Sequence, residues 1–212
     1  MVSPESPETT GAVATFASAA HTFTALVHAI PADRWDAPGL GDWDLRALVG
    51  HASRSLITVS TYLGHATERE DVTSPQDYYA QIREYASKLG AADITERGRQ
   101  AGRDLGDDPS ATVDGLVQRV LDELSDAGNP LIAVIGGLGI RLHSYLPTRT
   151  FELVVHGLDI ARAVDISFPL PADVLGEATA LAARIAVAEG DGETVLMALT
   201  GRGGLPTPFS IV

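Results

Sequence analysis

The chain has no cysteine. Disulfides, thiolate zinc sites and a cysteine nucleophile are thereby excluded, and any thiol chemistry needs a thiol brought in from outside. Positive charge is scarce as well: 15 Lys and Arg stand against 28 Asp and Glu, a formal charge of -13. Nucleic acids and anionic membranes are both held by clustered basic side chains, so neither is an expected partner. No apolar run is long enough for a membrane span. The stretch Met1 to Thr10, with Glu5 and Glu8, lacks the basic start and apolar centre of a signal peptide. A cytoplasmic protein acting on a small molecule is expected, with monomer and homodimer both open. Internal repeats and low-complexity tracts are absent too. The glycine-rich piece Gly136 to Gly139 is no phosphate loop, because the Lys-Ser/Thr that should follow is missing.

What the chain has is helical periodicity. Its 212 residues are 45% hydrophobic, enough for a sizeable core. Val13, Phe16, Ala20, Phe23, Val27 and Ile30 recur at steps of three and four, the apolar stripe of a first helix ended by Pro31. Asp44 is placed to cap a second, with Leu45, Leu48, Ala52, Leu56, Val59 and Leu63 on one face and Gly64 at its end. A third helical stretch is expected from Asp77 toward Arg103, interrupted by Gly90 and Gly98, and a shorter one from Ser110 to Ser125. Between Leu131 and His143 the pattern changes to extended pieces around a glycine turn. Pro147 then opens another helix at its first turn. Pro169 and Pro171 introduce a last long helix, Ala172 to Glu189, followed by a short helical piece and a Pro/Gly-rich end. The expected fold is all-α: a bundle with an additional C-terminal helix and a small extended insert. Residues 1–9 are expected as a flexible start, 10–190 as the helical domain and 191–212 as a tail packing on it.

The most informative segment is Thr148 to Ala163. It is apolar on most sides, through Phe151, Leu153, Val154, Val155, Leu158 and Ile160. Yet Arg149, Glu152, His156 and Asp159 stand at offsets 0, 3, 7 and 10 and form one polar stripe. The same spacing describes the wet face of an ordinary amphipathic helix. On an enclosed helix, however, charged groups must be paired or bound to a metal. Glu152 and His156, one turn apart, amount to two thirds of a common divalent-metal site. Among the six histidines a third ligand has to come from elsewhere. His51 lies at the flank of the second helix's apolar stripe, where a neighbouring helix meets it. His65 is about 21 Å further along the same helix. His21 and His28 are two turns apart, and His143 has no acidic partner at helical spacing.

The run Trp43-Asp44-Leu45-Arg46-Ala47-Leu48-Val49-Gly50-His51 resembles the Trp-(Ser/Thr)-x-x-x-Leu-x-x-His signature of the mycothiol-dependent maleylpyruvate isomerase N-terminal domain. That family belongs to the wider DinB/YfiT-like group of metal-binding four-helix bundles. Arg149-x-x-Glu152-x-x-x-His156-x-x-Asp159 looks like the same family's Arg-x-x-Glu-x-x-x-His-x-x-Asp helix, and the resemblance covers roughly residues 10 to 165. It implies a DinB/YfiT-like four-helix bundle in which His51, Glu152 and His156 hold one divalent metal, zinc first and nickel second. It also implies a low-molecular-weight thiol such as mycothiol, in a transferase or isomerase acting on a small electrophile. A metal-dependent hydrolase without thiol and a non-catalytic metal-binding accessory protein are the alternatives. Two departures stand out. Asp44 replaces the family's Ser or Thr, and after Ala163 the chain reads as one helix and a short tail, where the isomerases carry a mixed α/β domain. Arg149 can bind a carboxylate or pair with Glu152 or Asp159. Asp159 can orient a ligand histidine. Trp43 is expected to pack the entrance of the second helix.

Overall fold

The computed structural model describes the backbone of residues 7–88 and 91–211 and the side chains of 11–83 and 95–211; the first six positions of the expected flexible start lie outside the described residues. From Pro7 the chain is helical. α1 (Pro7–His28) turns Phe16, Ala20, Phe23 and Val27 inward, with no surface left exposed. α2 (Leu45–Leu63) begins where Asp44 caps it, accepting from the Ala47 amide at 2.7 Å, and ends at Gly64. Its Leu45, Leu48, Ala52, Leu56 and Val59 are fully buried. After α3 (Pro75–Lys88) and α4 (Ala91–Asp104) comes α5 (Pro109–Ser125), capped by Asp108 through the Ala111 amide at 3.0 Å. β1 (Leu131–Ala133) and β2 (Gly139–Arg141) make a small antiparallel hairpin in which Leu131 pairs with Arg141. The long α6 (Leu142–Val164), α7 (Ala172–Ala188) and α8 (Gly192–Leu199) complete the described chain.

Four of these helices form a bundle in the spatial order α1, α5, α2, α6, with α6 closing back on α1. α3 packs on α6 and α7, α7 lies along α6, and α8 lies on α7. The Arg83 guanidinium ties the end of the chain to this layer, donating to Glu189 at 2.7 Å and to the Ile211 carbonyl at 2.8 Å. The fold is the all-α bundle with a C-terminal helix and a small extended insert. Among the described residues no helix is long and apolar enough to cross a membrane.

Three local departures from the sequence reading matter for the site. The stretch from Asp77 toward Arg103 is two helices that serve different neighbours, α3 facing α6 and α7 while α4 faces α2. Gly98 interrupts nothing; it lies inside α4. Pro147 does not open α6 but sits inside it. Proline keeps a helical φ and costs one intrahelical donor near the start, where the first turn is already held from outside by the Asn129 side chain on the His143 amide at 2.9 Å.

The contact between α2 and α4 is backbone on backbone. A Cβ on Gly50 would collide with the main chain of Ala101 and Gly102, and one on Gly102 would lie 2.9 Å from Ala47 Cα. Gly50→Ala therefore forces two packed helices apart and should destabilise the protein by about 1–3 kcal/mol. Gly115, exposed on α5 with nothing near its Cβ position, is the control: Gly115→Ala should stabilise by up to about 1 kcal/mol. Urea unfolding with unchanged slope checks both signs. A Gly50→Ala midpoint at or above that of the parent would refute the close-packing account.

Candidate metal centre

α2 and α6 cross inside the bundle and bring His51 against Glu152 and His156. One donor atom from each of the three lies within 4.8 Å of the others. The His156 Nε2 to Glu152 Oε2 separation is 3.2 Å, and the His51 and His156 rings meet edge to face at 4.8 Å between centroids. Donors around a tetrahedral zinc are about 3.4 Å apart, so a closing movement of His51 would bring the three donors to that spacing. Two imidazoles and a carboxylate are a suitable donor set for zinc or a similar divalent ion, and they leave a coordination position open.

Two of the three donors, His51 and Glu152, are in the protonation state a metal needs, and the third, His156, is not. Burial lowers His51 to about 4, helped by the positive charge of His156, Arg54 and Arg149, so the ring is neutral at pH 7 and one nitrogen keeps a free lone pair. Burial alone would raise Glu152, but His156, Arg149 and the Tyr79 hydroxyl outweigh it and hold the carboxyl at about 2. Burial also works against charge on His156. The carboxylates of Asp159 and Glu152 prevail, and the imidazole keeps its proton up to about 9.

Neighbouring side chains fix the donors. The Tyr79 hydroxyl, carried on α3, donates to Glu152 Oε1 at 2.9 Å. Asp159 Oδ2 stands 3.5 Å from His156 Nδ1, an ion-pair distance on the side of the ring away from Glu152. Arg149 forms no ion pair with Glu152 or Asp159 among the described residues. Its guanidinium carbon lies 4.9 Å from the Tyr145 ring centre and 5.4 Å from that of Tyr78.

The centre opens into a cavity of about 230 Å³. Arg54, Arg97 and Arg149 line it together with Tyr62, Tyr78, Tyr79 and Tyr145. Among the described residues no carboxylate lies within ion-pair distance of Arg54 or Arg97. The remaining histidines are elsewhere: His28 contacts Asp114 at 3.0 Å and His65 the Thr61 carbonyl at 2.7 Å, while His21 is exposed on α1 and His143 sits in the first turn of α6.

Several lining residues escaped the sequence reading. Tyr145 stands one turn before Arg149 and extends the polar stripe, but beginning the helix at Pro147 hid it. Arg54 is three residues beyond His51 and shares its helix face. Tyr79 and Arg97 carry no local signal, because only the packing of α3 and α4 brings them to the site.

No curated protein and no solved structure matches the chain. The family described as mycothiol maleylpyruvate isomerase N-terminal domain matches residues 16–161. That span begins in α1, contains both the Trp43–His51 and the Arg149–Asp159 runs, and ends in α6, so it takes in most of the four-helix core. By the match over most of its length, this chain belongs to the mycothiol maleylpyruvate isomerase N-terminal domain family.

Proposed function

We propose that the protein is a divalent-metal enzyme that uses an external low-molecular-weight thiol, mycothiol or an analogue, to transfer or isomerise a small anionic electrophile. One observation carries the reading: the His51/Glu152/His156 cluster opens directly onto a cavity lined by three arginines. His51, Glu152 and His156 would hold the ion, zinc before nickel. Bound there, a divalent ion ionises a thiol or water and polarises a carbonyl. Family membership supports a thiol as the group so activated. With no cysteine in the chain, that thiol comes from solution.

The protein's own residues supply the rest. Arg149, stacked against Tyr78 and Tyr145, offers a fixed guanidinium edge to a substrate carboxylate. Arg54 and Arg97, with no ion-pair partner among the described residues, add positive charge that would draw an anion into an otherwise acidic protein. The tyrosine rings make flat walls for an unsaturated body. Asp159 holds the His156 ring in orientation, and Tyr79 holds Glu152. In this reading the enzyme works in the cytoplasm, where small thiols are kept reduced, with no nucleic-acid or membrane partner.

Metal uptake is the first test. Zinc should bind one per chain, and His51→Ala or His156→Ala should abolish it in a chelator-competition titration. His156 keeps its proton up to about 9, so the metal must displace that proton at neutral pH. Calorimetry in buffers of different ionisation enthalpy should then show about one proton released at pH 7. Affinity should rise as pH climbs toward 9, because proton competition fades, and level off above it. A pH-independent affinity between 7 and 9 would contradict the assigned protonation.

Turnover is the second. A panel of carboxylate-bearing electrophiles assayed with zinc-loaded protein should react only when mycothiol, bacillithiol or glutathione is present. Turnover that is equal without thiol replaces this reading with a metal-dependent hydrolase; metal binding without turnover leaves an accessory protein. Arg149→Gln should raise KM for a carboxylate substrate by about 10–100-fold and leave its neutral ester almost unchanged. An equal effect on both would remove Arg149 from anion recognition.

A further inference from the structure

His156 has Asp159 on the nitrogen that faces away from the cluster, the usual arrangement for a ligand histidine. His51 has nothing comparable: among the described residues neither of its ring nitrogens makes a hydrogen bond. Its ring is held by another contact. The Trp43 indole lies 4.5 Å from it, centroid to centroid, with the planes inclined at 32°. That tilted ring-on-ring contact sets the indole close against the imidazole, and the His156 ring meets the same imidazole edge to face.

The indole is itself fixed from two directions. Its Nε1 donates to the Thr95 carbonyl at 2.9 Å. Behind it stands Gly98, where a Cβ would fall 2.5 Å from Trp43 Cε2. Gly98 and Gly102 are one turn apart on α4, and Gly102 presses against the α2 backbone. The helix that docks on α2 through one glycine thus seats the indole with the other. We infer that Trp43 is the positioning residue for His51, a stacked ring that takes the place of the missing hydrogen bond, and that Gly98 is there to admit it.

This inference rests on the metal reading and deepens it. Outer partners of ligand histidines typically control metal affinity by 10–100-fold. Trp43→Leu removes the stack but keeps apolar bulk, Trp43→Phe keeps a ring, and Gly98→Ala pushes the indole without touching any ligand. Zinc affinity by chelator competition, the visible absorption of the cobalt-substituted protein and thermal unfolding should be measured for each on the full chain. Trp43→Leu and Gly98→Ala should lose about 10–100-fold in affinity and shift the cobalt bands. Trp43→Phe should recover most of both.

Folded Trp43→Leu and Gly98→Ala proteins with parental affinity and an unchanged cobalt spectrum would overturn the assignment. So would a loss in Trp43→Phe as large as in Trp43→Leu, since it would point to the indole's hydrogen bond instead of its ring. If Trp43→Leu does not fold, Gly98→Ala and Trp43→Phe decide alone. A parent protein that takes up neither zinc nor cobalt defeats the metal reading itself, whereas parental uptake shared unchanged by the variants defeats only the role of Trp43.

Discussion

Charge placed inside a helical bundle has to be compensated where it stands, and Glu152 is the point at which this chain does so. One oxygen faces His156 at 3.2 Å and the other accepts from Tyr79 at 2.9 Å. Those two contacts join α6 to itself and to α3, and His51 brings α2 to the same place. Neutralising Glu152 would leave His156 with Asp159 alone, and Arg149 with the Thr148 hydroxyl, which accepts from its Nε at 3.0 Å, and the faces of Tyr78 and Tyr145. A half-buried charge of this kind adds little stability over an apolar replacement, because desolvation offsets most of the attraction. Its place among helices that are mainly apolar is therefore better accounted for by the proposed metal role than by stability. The surrounding leucines, valines and phenylalanines would pack at least as well without it.

The electrostatics of the cavity run against those of the whole protein. A chain with a formal charge of -13 directs Arg54, Arg97 and Arg149 into one recess, whose lining among the described residues includes a single carboxylate, Glu152, which the donor cluster already engages. Low-dielectric tyrosine walls screen such charges less than water does, so the field inside is stronger than the residue count suggests. On the proposed reading, repulsion by the acidic exterior and attraction by the interior together would favour a small anion over a large one, which could not leave the negative surface behind. The same pattern disfavours polyanions, in line with the scarcity of basic residues along the chain.

Much of this was legible in the sequence where the information is local. The bounds of α2 follow from Asp44, the leucine spacing and Gly64, because a cap, a periodic stripe and a stop each act within a few residues. The stripe from Arg149 to Asp159 was visible for the same reason, and it brought Glu152 and His156 forward before any other part of the chain was considered. His51 needed the family signature, since a histidine on the flank of an apolar stripe is ambiguous by itself. Tyr79 and Arg97 were illegible. Their approach to the site depends on how α3 packs on α6 and α4 on α2, and neither packing leaves a trace at the residue concerned.

The misreadings have a common physical origin. Gly98 weakens a helix and Pro147 removes a helical donor, so local rules assign both to boundaries. In the fold both lie inside helices, where tertiary demands outweigh propensity. Gly98 has its place because an indole needs the space that a Cβ would fill. Pro147 lies two residues before Arg149, in the part of α6 that carries the first side chain of the stripe. Together with charges in an apolar core, these are the positions where the sequence departs from what best stabilises a plain bundle, and all of them lie on the helices that carry or touch the candidate centre. Departures of that kind cost stability and persist where another requirement outweighs it. The hardest segment to read, α4, is thus the one that backs His51 through Trp43 and lends Arg97 to the cavity.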